Sequence, residues 1–187
     1  MRLPRVGLLR DRGDGMVSPE QILAVLLALT PHVTDAGDTA DERALLLAPE
    51  ASAISTASRD TSDAAALIAH GAVESRYARY VIEGRCQDGP RGARCDPDRH
   101  GRARARGPWQ VWAVACPDAW ELPVGHESLH REAACTLRLL RGGRMRCQSW
   151  VGAFASLGGG ARCSSPTAMA KARARQWAAL QLWRAAQ

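Results

Sequence analysis

The chain has 187 residues, 46 % hydrophobic and 24 % charged, which suits one domain with a real core and a small extra lobe at most. It contains no internal repeat and no long low-complexity tract, so a solenoid architecture is excluded. The net charge of +6 is uneven: residues 1–75 carry −5 and residues 76–187 carry +11. The second half therefore suits an anionic polymer, and both cell-wall glycan and nucleic acid fit that description.

Alanine, leucine and arginine dominate, which points to a mainly α-helical protein. Residues 1–17 are basic and contain glycine; we expect a disordered or mis-assigned start, with Met16 as the alternative. Ser18-Pro19-Glu20-Gln21 then sets an N-cap serine, a proline at the first helical position and a glutamine at N3. The apolar run Ile22 to Leu29 is too short to cross a bilayer. Glu20 adjoins it and no small-residue cleavage site follows, so it reads as an ordinary helix ending before Pro31 rather than a signal peptide. Residues 34–41 read as a linker. A short helix from Glu42 to Ala48 and a second one opened by Pro49 complete an N-terminal helical segment, 18–58, ahead of a main domain at 59–187.

The stretch from Asp63 to Tyr80 has apolar residues at Ala66, Leu67, Ala69, Ala72 and Val73, the spacing of a helix with one face inward. Asp60, Thr61, Ser62 and Asp63 supply capping groups. Glu74 follows the apolar stripe near the helix end. A carboxyl half-buried against apolar side chains loses hydration and holds its proton more tightly, as a general acid near neutral pH requires.

After Tyr80 the helical pattern stops. Residues 84–107 are rich in Gly, Asp and Arg, and an extended run would put Arg102, Arg104 and Arg106 on one side as a basic rim. No stacking aromatics are interleaved with these arginines, so no nucleic-acid partner is expected. The next helix is expected from His126 to Leu140, with Leu129, Ala133, Thr136, Leu137 and Leu140 inward and Gly142-Gly143 as its stop. Cys147 to Phe154 reads as a core helix closed by Gly158-Gly159-Gly160. A last helix runs from Ser164-Ser165-Pro166 to about Ala186, with Met169, Ala172, Gln176, Leu180 and Trp183 packed and Lys171, Arg173 and Arg175 solvated.

Three segments carry a resemblance. Val73-Glu74-Ser75-Arg76-Tyr77 resembles the Glu-Ser-x-aromatic signature of soluble lytic transglycosylases and goose-type lysozymes. Gly107-Pro108-Trp109-Gln110-Val111 is similar to that family's Gly-Leu-Met-Gln segment, and Ala153-Phe154-Ala155-Ser156-Leu157-Gly158-Gly159 stands where the family has Ala-Tyr-Asn-Ala-Gly. Order and approximate spacing agree over about residues 60–182. The resemblance implies a lysozyme-like helical domain with a small loop or β-hairpin wall along a glycan cleft. It implies Glu74 as general acid, and it implies substrate contacts from Ser75, Tyr77, Trp109, Gln110 and Phe154. Trp112 beside them is expected in the core. Trp109, Phe154 and Ala155 replace the family's methionine, tyrosine and asparagine. These departures raise the alternative of an inactive wall-binding or structural module.

Asp88, Asp96 and Asp98 are candidates for a second carboxylate, which an inverting hydrolase places ~6.5–9.5 Å from the acid. Without one, the resemblance implies assistance from the substrate's N-acetyl group and closure of a 1,6-anhydro ring. Six cysteines, Cys86, Cys95, Cys116, Cys135, Cys147 and Cys163, form no CxxC pair. Bridges between sequence neighbours (86–95, 116–135, 147–163) are the preferred pairing, though other pairings are open. Bridges imply an oxidising compartment, periplasmic or extracellular; buried free thiols in a cytosolic protein are the competing reading. One rival motif is His126-Glu127-Ser128-Leu129-His130, which satisfies H-E-x-x-H and would place two zinc ligands on one helix face. Ser128 stands where zinc proteases have an apolar residue and the motif opens a helix, so a zinc metallohydrolase is the weaker alternative. The reading as a whole is a monomeric peptidoglycan glycosidase acting on glycan strands, with no metal, no cofactor and no transmembrane segment.

Overall fold

The computed structural model describes residues 17–29, 39–84, 105–157, 163 and 167–185. These form α1 (Pro19–Leu29), α2 (Ala40–Ala57), α3 (Thr61–Glu74), α4 (Arg79–Ile82), β1 (Ala105–Arg106), β2 (Val111–Trp112), α5 (Pro117–Trp120), α6 (His126–Cys147), α7 (Trp150–Leu157) and α8 (Ala168–Ala185). The protein is mainly α-helical, and β1 and β2 form one antiparallel hairpin with Ala105 opposite Trp112 and Arg106 opposite Val111. Among the described residues no helix is long and apolar enough to cross a membrane.

Central to the packing is α3. Asp60 caps it by accepting from the Asp63 amide at 2.9 Å, as the capping groups predicted. Every residue from Asp63 to Gly71 is buried, which a one-faced stripe does not predict. The reason is the run of small side chains, Ala64, Ala65, Ala66, Ala69 and Gly71, which lets neighbours approach from all sides. α1, α2, α6 and α8 all pack on it. One continuous core runs from Ile22 and Leu26 through Leu47, Ile54 and Leu67 to Leu137, Phe154 and Leu180, so the segment 18–58 shares its interior with the rest of the chain.

The two expected capping hydrogen bonds form: the Ser18 hydroxyl accepts from the Gln21 amide at 3.3 Å and the Gln21 side-chain oxygen accepts from the Ser18 amide at 3.0 Å. Where the sequence reading has two short helices around Pro49, α2 runs through the proline as one helix. Leu47 before it and Glu50, Ala51, Ala53 and Ile54 after it all enter the core, and that shared burial outweighs the lost backbone bond. Likewise α6 does not stop at Gly142-Gly143 but continues to Cys147. Gly143 backs onto α7 so closely that a Cβ would lie 2.1 Å from the Ser156 hydroxyl and 3.0 Å from the Ala153 Cα; here packing overrides the low helix propensity of glycine. The inward positions named for α6 are all buried.

On α8 the buried positions are Ala170, Arg173, Ala174 and Leu180, whereas Met169 is exposed. Leu180 is buried as expected, but at the start of the helix the inward positions are Ala170 and Arg173 in place of Met169 and Ala172, and Arg173 is enclosed rather than solvated; Trp183 and residues 164–166 lie outside what is described. Cys116 is bonded to Cys135 and Cys147 to Cys163, tying α5 to α6 and the end of α6 to the approach to α8. Cys86 and Cys95 lie outside the described residues, as do Asp88, Asp96, Asp98, Arg102, Arg104 and the Gly158-Gly159-Gly160 stop.

Candidate active site around the end of helix α3

Glu74 is the last residue of α3, and its side chain keeps 15 % of its accessible surface. The chain then turns sharply. Arg76 and Tyr77 both adopt left-handed backbone, φ 57° and 54°, a conformation disfavoured for residues with a Cβ. Tertiary contacts hold it there. The Ser75 hydroxyl donates to the Gly71 carbonyl at 3.1 Å and accepts from the Tyr77 amide at 3.0 Å. The Tyr77 phenol lies against Gly71, where a Cβ would come within 2.5 Å of its oxygen, and reaches the Leu67 and Ile68 carbonyls at 3.4 Å. Burial pushes this phenol well above its ordinary value. Ser75 and Tyr77 are therefore enclosed; they shape the turn that carries Glu74 and do not offer the direct substrate contacts expected of them.

The hairpin turn Gly107-Pro108-Trp109-Gln110 crosses the same helix. Trp109 is 1 % exposed and its indole N–H donates to the Leu67 carbonyl at 3.1 Å, two helical turns before Glu74. Trp112, expected in the core, is 46 % exposed instead. The burial of the two tryptophans is thus the reverse of that expected: Trp109 locks the hairpin to α3, and Trp112 is partly open to solvent. Gln110 is half-buried with its side-chain amide donating to the Gly107 carbonyl at 3.0 Å. Gly107 has φ 68°, and a Cβ there would lie 1.8 Å from Glu132 Oε2. The close approach its glycine permits is to that carboxyl, not to a ligand.

Glu132 on α6 and Glu50 on α2 are both enclosed. Burial pushes Glu50 up to about 8, its own backbone amide lowering it and the charge of Glu132 raising it further. Burial likewise pushes Glu132 up to about 7, against the lowering effect of Arg106, whose Nε donates to Glu132 Oε1 at 3.2 Å. Neither oxygen of Glu50, nor Oε2 of Glu132, has a hydrogen-bond partner. Arg106 is itself buried: it donates to the Leu122 carbonyl at 3.0 Å and to the Ala119 carbonyl, and stacks 4.9 Å from the Trp120 ring. It is a clamp between the hairpin, α5 and α6, and not part of a basic rim.

Arg173 and His70 flank Glu74. Arg173 forms an ion pair with Glu74 and donates to the Phe154 carbonyl at 3.3 Å; burial lowers its guanidinium to about 10. Phe154 is fully enclosed, so it enters the site through its backbone oxygen and not through its ring. His70 lies one turn before Glu74, and burial, then the nearby charge of Arg173, hold it well below its ordinary value. Among the described residues its Nδ1 has no hydrogen-bond partner. Ala155 is buried beside Phe154.

Sequence reasoning missed Glu50, His70, Arg106, Glu132 and Arg173 as members of this polar interior. A signal existed for two of them. Glu132 falls between Leu129, Ala133 and Thr136 on the inward stripe of α6, and Arg173 recurs with Ala170, Ala174 and Trp177 at the same period.

Away from this cluster, the expected helix face of the HExxH motif is present: His126 and His130 stand side by side on α6. Glu127, the would-be base, is exposed and bonded to Arg131 at 3.1 Å. Ser128, buried, exchanges hydrogen bonds with the Gly125 backbone at 3.1 and 2.9 Å, closing the first turn of α6. Among the described residues no group of three or more His, Cys, Asp or Glu could hold a metal. No family model matches this chain, and no curated protein or solved structure does either.

Proposed function

We propose that the protein is a lysozyme-like glycosidase that cleaves the β-1,4 bond of peptidoglycan, with Glu74 as general acid. One observation carries the reading. The described parts of the three segments that resemble the lytic transglycosylase and goose-type lysozyme signatures, 73–77, 107–111 and 153–157, meet around the last two turns of α3. Trp109 and Tyr77 share the Leu67 carbonyl, and Arg173 joins Glu74 to the Phe154 carbonyl.

In the reaction Glu74 donates its proton to the glycosidic oxygen as the bond from that oxygen to C1 breaks. Either water adds to C1, or the sugar's 6-hydroxyl closes on C1 to give a 1,6-anhydro product one water lighter. A carboxyl held by a guanidinium is ionised, so Glu74 takes up a proton from solvent as Arg173 releases it on glycan entry. After that proton passes to the glycosidic oxygen, the Glu74 carboxylate accepts the proton of the incoming water or 6-hydroxyl, which restores the acid. Gln110 and the partly open Trp112 are the hairpin groups that reach the glycan: an amide suits an acetamido sugar and an indole face suits a sugar ring. The two disulfides fit work outside the reducing cytosol, in a periplasmic or extracellular space.

The ion pair between Arg173 and Glu74 also favours a second reading, a wall-binding module whose carboxylate is permanently engaged. Clearing of purified sacculi by the wild type and by Glu74→Gln separates the two. Loss of clearing by about 10²-fold or more in the variant, with wall pelleting retained, supports the enzyme. Equal clearing by both removes Glu74 from the chemistry. Pelleting without clearing by the wild type favours the binding module. Trp112→Ala is expected to raise KM several-fold with little change in kcat.

A further inference from the structure

The structure assigns a chelating feature, remote from Glu74, on the first turns of α6: we propose that His126 and His130 together bind one borderline divalent cation such as Zn²⁺. The two side chains lie four residues apart, on one face of a 22-residue helix. Their ring centroids are 4.4 Å apart but their Nε2 atoms are only 3.2 Å apart. The rings therefore lean together at their nitrogen tips.

That separation matches the bite of a metal. With Zn–N bonds of about 2.05 Å, two nitrogens 3.2 Å apart subtend roughly 100° at the ion, close to tetrahedral and wider than a right angle. Imidazole nitrogen selects zinc, copper and nickel over magnesium and calcium. His126 is exposed and His130 half-buried, so an ion reaches them without rearrangement of the core.

This differs from a zinc hydrolase site. Glu127 is turned to Arg131, and among the described residues no third ligand group stands beside the pair. The remaining coordination positions fall to water or to a second molecule, giving an exchangeable ion. The positive end of the α6 dipole opposes a doubly charged ion there and weakens the site by roughly three- to thirtyfold.

Calorimetric titration of the full chain with Zn²⁺ alone, in a buffer that does not chelate, tests the assignment. Wild type is expected to take up one ion that His126→Ala and His130→Ala each weaken at least tenfold, while Glu127→Gln binds as wild type does. Both histidines lie at the surface, and unchanged far-UV circular dichroism verifies that the variants fold. Binding unaffected by either histidine substitution would mean that the two rings only share a proton, and the proposal fails. It fails equally if Glu127→Gln loses the ion, because the carboxylate would then be a ligand. As a second measurement, Cu²⁺ bound to the wild type should show two equivalent nitrogens by electron paramagnetic resonance; one nitrogen overturns the chelate.

Discussion

The start of α3 and the space beneath the hairpin turn both bury carboxyl groups, and they treat them oppositely. At the start of α3, Asp63 is enclosed yet fully engaged: Arg141 binds both its oxygens, Arg59 donates to it at 3.3 Å from its side chain and 3.2 Å from its backbone. Burial pushes this carboxyl up, but the bonds from Arg141 and Arg59 outweigh it and hold it below its ordinary value. Beneath the hairpin, Glu50 has no hydrogen-bond partner and Glu132 uses one oxygen only, and both are pushed up. The first arrangement fastens α3 to α6. The second keeps protons in a dry interior next to the candidate site, the kind of perturbation that clusters at functional sites.

The largest expected effect that tests this contrast is the pH dependence of stability. Unfolded Glu50 loses its proton near 4.5 and folded Glu50 near 8. Between those values the folded state holds the extra proton, so stability falls as pH rises, by on the order of 4 kcal/mol in total. Asp63 has the opposite sign: its contribution is full above 3.8 and is lost as pH falls through its lowered folded value. Stability should therefore peak at about pH 4 to 5. Urea unfolding from pH 3 to 9 measures this, and Glu50→Gln should flatten the alkaline limb while leaving the acid limb intact. An alkaline limb of unchanged slope in that variant would place the stored protons elsewhere.

Next in size is Arg141→Ala, which removes the main partner of an enclosed carboxylate and should cost about 3 kcal/mol at pH 7. Arg141→Ala combined with Asp63→Asn should recover most of that loss, because no unpaired charge is left behind. Gly107→Ala should cost about 2 kcal/mol, from its left-handed backbone and from the collision of its methyl with Glu132. Combined with Glu132→Ala, which clears that space, the penalty should fall to about 1 kcal/mol, the backbone share. The smallest effect is expected from Arg59→Ala, whose side chain is mostly exposed: below about 1 kcal/mol and weaker in high salt.

Much of this architecture is legible in the sequence. Local rules give the caps at Ser18 and Asp60, the inward face of α6 and the neighbour pairing of Cys116 with Cys135 and Cys147 with Cys163, because each depends on residues close in the chain. The position of Glu74 at a helix end was also expected, whereas the hairpin, which the resemblance implied within residues 84–107, turns at 107–110. What escaped depends on partners distant in sequence. Gly143 stays helical because α7 presses against it, and Pro49 stays helical because both sides of it share one core. Trp109 is enclosed because the Leu67 carbonyl, 42 residues away, accepts its N–H. The sequence offers a ring and a nearby cleft motif but no sign of which tryptophan turns inward. The Arg173 partner of Glu74 lies 99 positions further along the chain, and only the packing of α8 on α3 brings them together.

The Leu67 oxygen receives both the Trp109 indole and the Tyr77 phenol. A single peptide group thus anchors the loop that offers Gln110 and the bend that aims Glu74, as a common axle carries two wheels. Should the hairpin swing outward, the indole would let go of that oxygen and the phenol would be left as its companion from outside the helix. Movement of the hairpin and movement of the bend after Glu74 would then be one mechanical event, and neither would be free to drift alone.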